Sequence, residues 1–228
     1  IWVYAQHHDG KIDRSTLELL GKSRKLAAKV GVDLSAILLG FRVKSLAQEL
    51  IYFGADKVNV VEHEKLMNYT TMPYARLLAD LIKREKPEVV LFSADTTGRD
   101  LAPRIAARLE TGLTADCVDL DIGDFEERES GKRFRNILLQ VVPAFGGNVM
   151  ATIVNPERRP QMATVREGVK RLLSLRLGRL YHQRLLDYER EVDRRRMETV
   201  VYEPLRDIHR VNAMGQLLAS GQDELVLA

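Results

Sequence analysis

Glu88-Val89-Val90-Leu91-Phe92-Ser93-Ala94-Asp95-Thr96-Thr97-Gly98-Arg99-Asp100-Leu101-Ala102-Pro103-Arg104-Ile105-Ala106-Ala107-Arg108-Leu109 passes from a continuous apolar run, through a polar turn, to a run with helical spacing. Glu88 to Phe92 reads as a strand covered on both faces, because it does not alternate with polar residues. Leu101 to Leu109 reads as a helix. Asp100 is its expected N-cap, which places Pro103 in the first turn, where backbone amides lack helical partners in any case.

The same unit recurs upstream. Ile1 to Ala5, Leu34 to Leu39 and Lys57 to Val61 read as strands. Thr16 to Val30, Val43 to Tyr52 and Tyr74 to Arg84 have helical spacing, and Gly31, Gly54 and Pro87 stop them. Strands and helices alternating at short intervals predict a three-layer α/β/α fold around a mostly parallel sheet. Downstream, Phe134 to Ala144 and Asn148 to Val154 flank Phe145-Gly146-Gly147 and read as an antiparallel hairpin added to that sheet. From Val169 to Val192, Leu173, Leu177, Leu180, Tyr181, Leu185, Tyr188 and Val192 share one helical stripe. Residues 166–196 hold ten Lys/Arg against five Asp/Glu, so this stretch is locally basic. Glu198 to Tyr202 reads as one more strand, Leu205 to Leu218 as a short helix, and Glu224 to Leu227 as the start of a strand. The expected division is an α/β domain over 1–168, a basic helical segment and strand over 169–204, and a linker leading into a further domain over 205–228.

Composition narrows the function. The 228 residues are enough for one large domain with an appendage. A net charge of +3 and an aromatic content of 6% give neither a nucleic-acid footprint nor a base-stacking platform. One cysteine, Cys117, permits no intrachain disulfide or thiolate cluster and suits a reducing compartment. Cys117 is expected to be a small core residue. Ile1 to Ala5 is too short an apolar start for a signal peptide. No apolar run approaches the roughly 20 residues that span a bilayer.

The polar turn is the candidate site. In open α/β sheets, ligands sit beyond the carboxyl ends of the strands where strand order reverses. Thr96, Thr97, Gly98 and Arg99, with a helix N-terminus behind them, have the components of a phosphate cradle. The same residue types also cap helices and turn chains. His7 and His8 are adjacent in an extended segment, so they point opposite ways and read as exposed loop histidines, not metal ligands.

The central stretch resembles the central motif of electron transfer flavoprotein alpha subunits. Thr111-Gly112-Leu113-Thr114-Ala115-Asp116-Cys117 continues it, and Pro143-Ala144-Phe145-Gly146-Gly147-Asn148 and Arg159-Pro160-Gln161-Met162-Ala163-Thr164-Val165-Arg166 are similar to two more family blocks, in order. Trp2-Val3-Tyr4-Ala5 and Leu17-Glu18-Leu19-Leu20-Gly21 fit as well, so the resemblance covers residues 1 to about 168. It implies a Rossmann-like fold of the adenine-nucleotide hydrolase and universal-stress-protein type. It implies an electron carrier, not an enzyme, working as one subunit of a heterodimer with a beta subunit. FAD would sit in a following domain, and AMP or a second FAD on the beta subunit. Electrons would come from flavin dehydrogenases, such as the acyl-CoA dehydrogenases of fatty acid β-oxidation, and leave to a quinone reductase or another acceptor. The compartment would be the prokaryotic cytoplasm or the mitochondrial matrix, without membrane insertion.

On the same resemblance, Thr96, Thr97, Gly98 and Arg99 become a vestigial nucleotide cradle. Arg159, Gln161, Arg166 and Phe145 become interface residues, the two arginines bracketing an edge strand that starts at Pro160. Val142 departs from the family, which usually has arginine before the proline. The basic helical segment is also atypical, and the run ending in Asp223-Glu224-Leu225-Val226-Leu227-Ala228 resembles the approach to the flavin domain. The chain is therefore read as the leading part of a longer polypeptide. The alternative is a stand-alone universal-stress-type adenine-nucleotide-binding domain, which would want a glycine-rich phosphate loop late in the domain.

Overall fold

The computed structural model describes residues 1–128, 130–144, 149–167 and 199–202, the last as backbone only. The expected helix over 169–192, the elements after residue 204 and Phe145 lie outside the described residues.

The chain opens with β1 (Trp2–Ala5), a small ribbon of β2 (His7–His8) and β3 (Lys11–Ile12), and α1 (Arg14–Val30). Gly31 ends α1 in the left-handed region at φ 70°, its amide donating to the Ala27 carbonyl. β4 (Ser35–Gly40), α2 (Ala47–Tyr52), β5 (Lys57–Glu62), α3 (Thr71–Glu85), β6 (Val89–Ser93) and α4 (Thr96–Leu109) follow. A single 3-10 turn, Lys44–Leu46, precedes α2, and another, Glu64–Leu66, follows β5. The second half holds β7 (Leu113–Cys117), β8 (Asp119–Glu126), β9 (Arg133–Ala144), β10 (Val149–Ile153), β11 (Gln161–Val165) and β12 (Thr199–Tyr202).

Seven strands form one sheet in the order β12-β5-β4-β1-β6-β11-β7, and every pairing in it is parallel. Side chains alternate across the sheet, as its pleat requires. Val3, Ala36, Val58, Leu91 and Ala163 face α1 and α2, whose Leu20, Leu26, Leu50 and Ile51 complete that core. Trp2, Tyr4, Ile37, Phe92 and Met162 face α3 and α4, with Leu78, Ile82, Leu101 and Ile105. The predicted three-layer fold is observed. Each fully buried leucine or phenylalanine contributes roughly 1.5–3 kcal/mol.

Two expectations change here. The hairpin does not join the parallel sheet. β9 and β10 form a separate antiparallel sheet with β8, in the order β10-β9-β8. Leu120, Ile122 and Leu138 of this sheet extend the core on the α1 face. Lys22 and Lys29 of α1 fasten it through Asp119 at 2.7 Å and Asp121 at 2.8 Å. Second, β11 is not an edge strand. It lies between β6 and β7, so Pro160, which lacks an amide donor, precedes an interior strand and leaves its ladder intact.

Strand order reverses at β1. The chain passes from β1 through α1 to β4 on one side, while β6 occupies the other. The carboxyl ends of β1 and β6, from which α1 and α4 start, therefore flank the position where this architecture places ligands.

Candidate functional site

α4 starts earlier than the sequence predicts. Asp95, not Asp100, is its N-cap, and its Oδ1 accepts a hydrogen bond from the Gly98 amide at 2.8 Å. Pro103 consequently lies inside the helix, where a proline removes one backbone bond. The capped first turn and the burial of Leu101, Ala102, Ile105 and Ala106 offset that loss. Asp100 instead points back to α3. It accepts from the Tyr69 hydroxyl and from Thr71 Oγ1, both at 2.6 Å, and from Arg104 Nε at 3.1 Å. These bonds, Thr71 first, hold its carboxyl below the usual carboxylate range.

Gly98 is required by proximity. A Cβ there would stand 1.9 Å from the Ser93 carbonyl oxygen, so the first turn of α4 lies directly on the end of β6. Burial raises the Asp95 pKa, opposed by the Gly98 amide and reinforced by the nearby carboxylates of Asp13 and Glu167. The place where a phosphate would meet the helix N-terminus thus already holds a carboxylate of the protein. Thr96 is exposed and Thr97 half-buried at its rim.

Arg99 turns away from this seat. Its Nε and Nη2 lie 3.1 and 3.0 Å from Asp116 Oδ1, and Arg166 Nη2 lies 3.6 Å from Asp116 Oδ2. Asp116 adopts φ 59°, and its amide donates to Thr164 Oγ1 at 2.9 Å. The Arg166 amide donates to the Cys117 carbonyl at 2.9 Å. The end of β11 and the end of β7 thereby fix both arginines on one carboxylate. The sequence pointed to Arg99 and Arg166 for different roles. It gave no sign of Asp116, because the three residues meet only through the sheet.

The other expected interface residues lie elsewhere. Arg159 sits at the opposite, amino end of β11, where its Nε donates to Glu88 Oε2 at 2.6 Å. Gln161 is buried, and its Oε1 accepts from the Leu138 amide at 2.9 Å, joining the parallel sheet to β9. His7 is half-buried, not an exposed loop residue. Its Nε2 lies 2.9 Å from the Leu39 carbonyl and it packs against Gly40. His8 is exposed and bonds the Asp13 carboxylate through Nδ1 at 2.8 Å. Cys117 is fully buried in the α1-side core, and burial pushes its thiol up to about 12. Beside Arg166 a cavity of about 70 Å³ opens between Ser15, Leu19 and Lys22 of α1 and Val118, Leu120 and Val165. Nucleotide-sized ligands need several hundred Å³. This cavity is therefore too small for a dinucleotide. Among the described residues no helix is long and apolar enough to cross a membrane.

The sequence is similar to known proteins of one family. The family profile described as electron transfer flavoprotein domain matches residues 1–179. An electron transfer flavoprotein subunit alpha of Thermoanaerobacterium thermosaccharolyticum is 52% identical over 169 residues, covering 74% of this chain and 48% of that protein. A protein of the same name from Clostridium acetobutylicum is 49% identical, over the same shares. The acryloyl-CoA reductase electron transfer subunit beta of Anaerotignum propionicum is 47% identical over 182 residues, 74% of this chain and 50% of that protein. The chain spans about half the length of the curated relatives it matches. With the match running through the whole α/β unit, the chain belongs to the electron transfer flavoprotein domain family.

Proposed function

We propose that this chain is the leading α/β domain of an electron transfer flavoprotein alpha subunit, a scaffold in a two-subunit electron carrier whose FAD is held by other parts of the complex. The match over residues 1–179 carries the reading. The α4 start supports the scaffold role, because Asp95 fills the anion seat that a bound nucleotide would need. The task of this domain is then geometric: a flavin supplies the redox chemistry, and the protein sets its position and surroundings. The companion would be a beta subunit, itself carrying AMP or a second FAD. A relative named as an electron transfer subunit of acryloyl-CoA reductase supports an acyl-CoA-linked flavin enzyme as redox partner.

The chain alone should bind neither FAD nor AMP. The test is a visible spectrum of the purified chain after FAD addition and gel filtration, with calorimetry against AMP alongside. A stable yellow complex near one flavin per chain would overturn the scaffold reading. An AMP dissociation constant near 1 μM, about −8 kcal/mol, would instead favour a stand-alone adenine-nucleotide-binding domain.

A further inference from the structure

We infer that Arg99 and Arg166, held together on Asp116, form a receptor for one carboxylate side chain of a partner polypeptide, and that this partner is the companion subunit of the proposed flavoprotein. The inference rests on that proposed function for the identity of the partner, and on the geometry for the chemistry.

A guanidinium presents five N–H donors in a rigid fork. Asp116 Oδ1 takes only the Nε and Nη2 edge of Arg99, and its Oδ2 meets Arg166 Nη2 at 3.6 Å, an ion pair without a close hydrogen bond. No other described residue pairs with either guanidinium, and their side chains are 56% and 46% exposed. The three side chains together carry one positive charge in excess. Their mounts are stiff: Arg99 lies in the first turn of α4, and the Arg166 and Asp116 amides are both bonded to neighbouring strands. Preorganised donors lose little freedom on binding.

The chemistry selects a carboxylate over a phosphate. One surplus charge matches a monoanion, and the Glu167 carboxylate, next to Arg166 in the same cavity lining, disfavours a dianion. The adjoining cavity is too small for a nucleotide to supply binding energy of its own. A planar carboxylate meets two guanidinium forks in parallel pairs of charge-assisted bonds. Arg159 and Gln161 take no part, because they lie at the other end of β11.

The test uses the 228-residue chain and the beta subunit that the proposed function calls for, with affinity measured by calorimetry at two salt concentrations. Arg99→Gln with Arg166→Gln should weaken association at least tenfold and flatten its salt dependence. The double Lys variant keeps the charge but loses the fork and should fall between. Asp116→Asn removes the internal competitor and should leave affinity unchanged or tighter. Thermal melts report that each variant is folded. If wild type binds and the double Gln variant binds within twofold of it, the receptor idea is wrong and the family reading stands. If Asp116→Asn weakens association as much as the double Gln variant, the arginines act only by holding Asp116, and the idea is again wrong. If wild type does not bind the companion at all, the heterodimer reading fails and this inference falls with it.

Discussion

α1 and α4 start on either side of the point where strand order reverses, and their first turns are built differently. α4 is capped by a side chain: Asp95 bonds the Gly98 amide, and Gly98 rests on the Ser93 carbonyl. α1 has Asp13 at the same position, but its carboxylate makes no cap bond and faces His8 instead. α1 is held by Thr16, whose Oγ1 accepts from the Gln6 amide at 2.9 Å and donates to the Gln6 carbonyl at 3.3 Å. One helix is closed by a carboxylate turned inward, the other by a hydroxyl clamped to the preceding strand. A helix N-terminus at a switch point is therefore not a ligand site by position alone. What the first-turn side chains already hold decides whether an anion has a place.

The largest break in this comparison comes at Gly98. A methyl group there collides with backbone, not with the end of a flexible side chain, so the start of α4 must move. Gly98→Ala is expected to cost more than about 4 kcal/mol, in the range reserved for overpacked cores and strained backbone. A urea unfolding midpoint close to that of wild type would show that α4 shifts freely on β6.

The second effect is at Asp95. Removing an N-cap acceptor typically costs about 1 kcal/mol, so Asp95→Ala should lose that much. Asp95→Asn keeps the acceptor and removes a charge that burial disfavours, so it should match or exceed wild type at pH 7. The sign follows from the raised pKa. A carboxyl whose folded pKa lies above its unfolded value, near 3.9, favours folding fully below that value and loses the contribution as pH rises through the folded pKa. The advantage of Asp95→Asn should then shrink on acidification. Denaturation of both variants at pH 7 and pH 4 checks it, and a constant difference would mean that the Asp95 charge is not destabilising.

The parallel unit was legible because its strands are continuous apolar runs and its helices end at Gly31, Gly54 and Pro87. The cap of α4 was misplaced because two aspartates lie five residues apart with Gly98 between them, and glycine reads locally as a helix breaker. Only the contact with Ser93 explains why it sits in the first turn. β8 carries a usable signal, the alternation Asp119-Leu120-Asp121-Ile122. β7 carries a weaker one, Leu113, Ala115 and Cys117 alternating with Thr114 and Asp116 over only five residues. The Arg99–Asp116–Arg166 cluster was invisible because its members come from α4, β7 and the end of β11. Local pattern reaches a few residues, whereas the sheet brings distant ones together.

The smallest effect is at the other helix. The Asp13 carboxylate, through its hydrogen bond first and its charge second, raises the His8 pKa above its ordinary value near 6.5. A histidine whose folded pKa is raised stabilises the fold fully below the unfolded value and loses that contribution as pH rises through the folded value. The sensitive window therefore lies above about pH 6.5. His8 is 66% exposed, so solvent screens the pair and it contributes no more than about 0.5 kcal/mol. His8→Ala should lower stability by a few tenths of a kcal/mol at pH 6 and leave it unchanged at pH 9. The wild-type chain should show the same difference in the slope of its melting temperature against pH. If the variant and wild type keep the same gap at both pH values, His8 acts only through packing on the β2–β3 ribbon. If the gap exceeds that of Asp95→Ala, the contrast between the two helix starts is reversed, and α1, not α4, is the end that depends on its carboxylate.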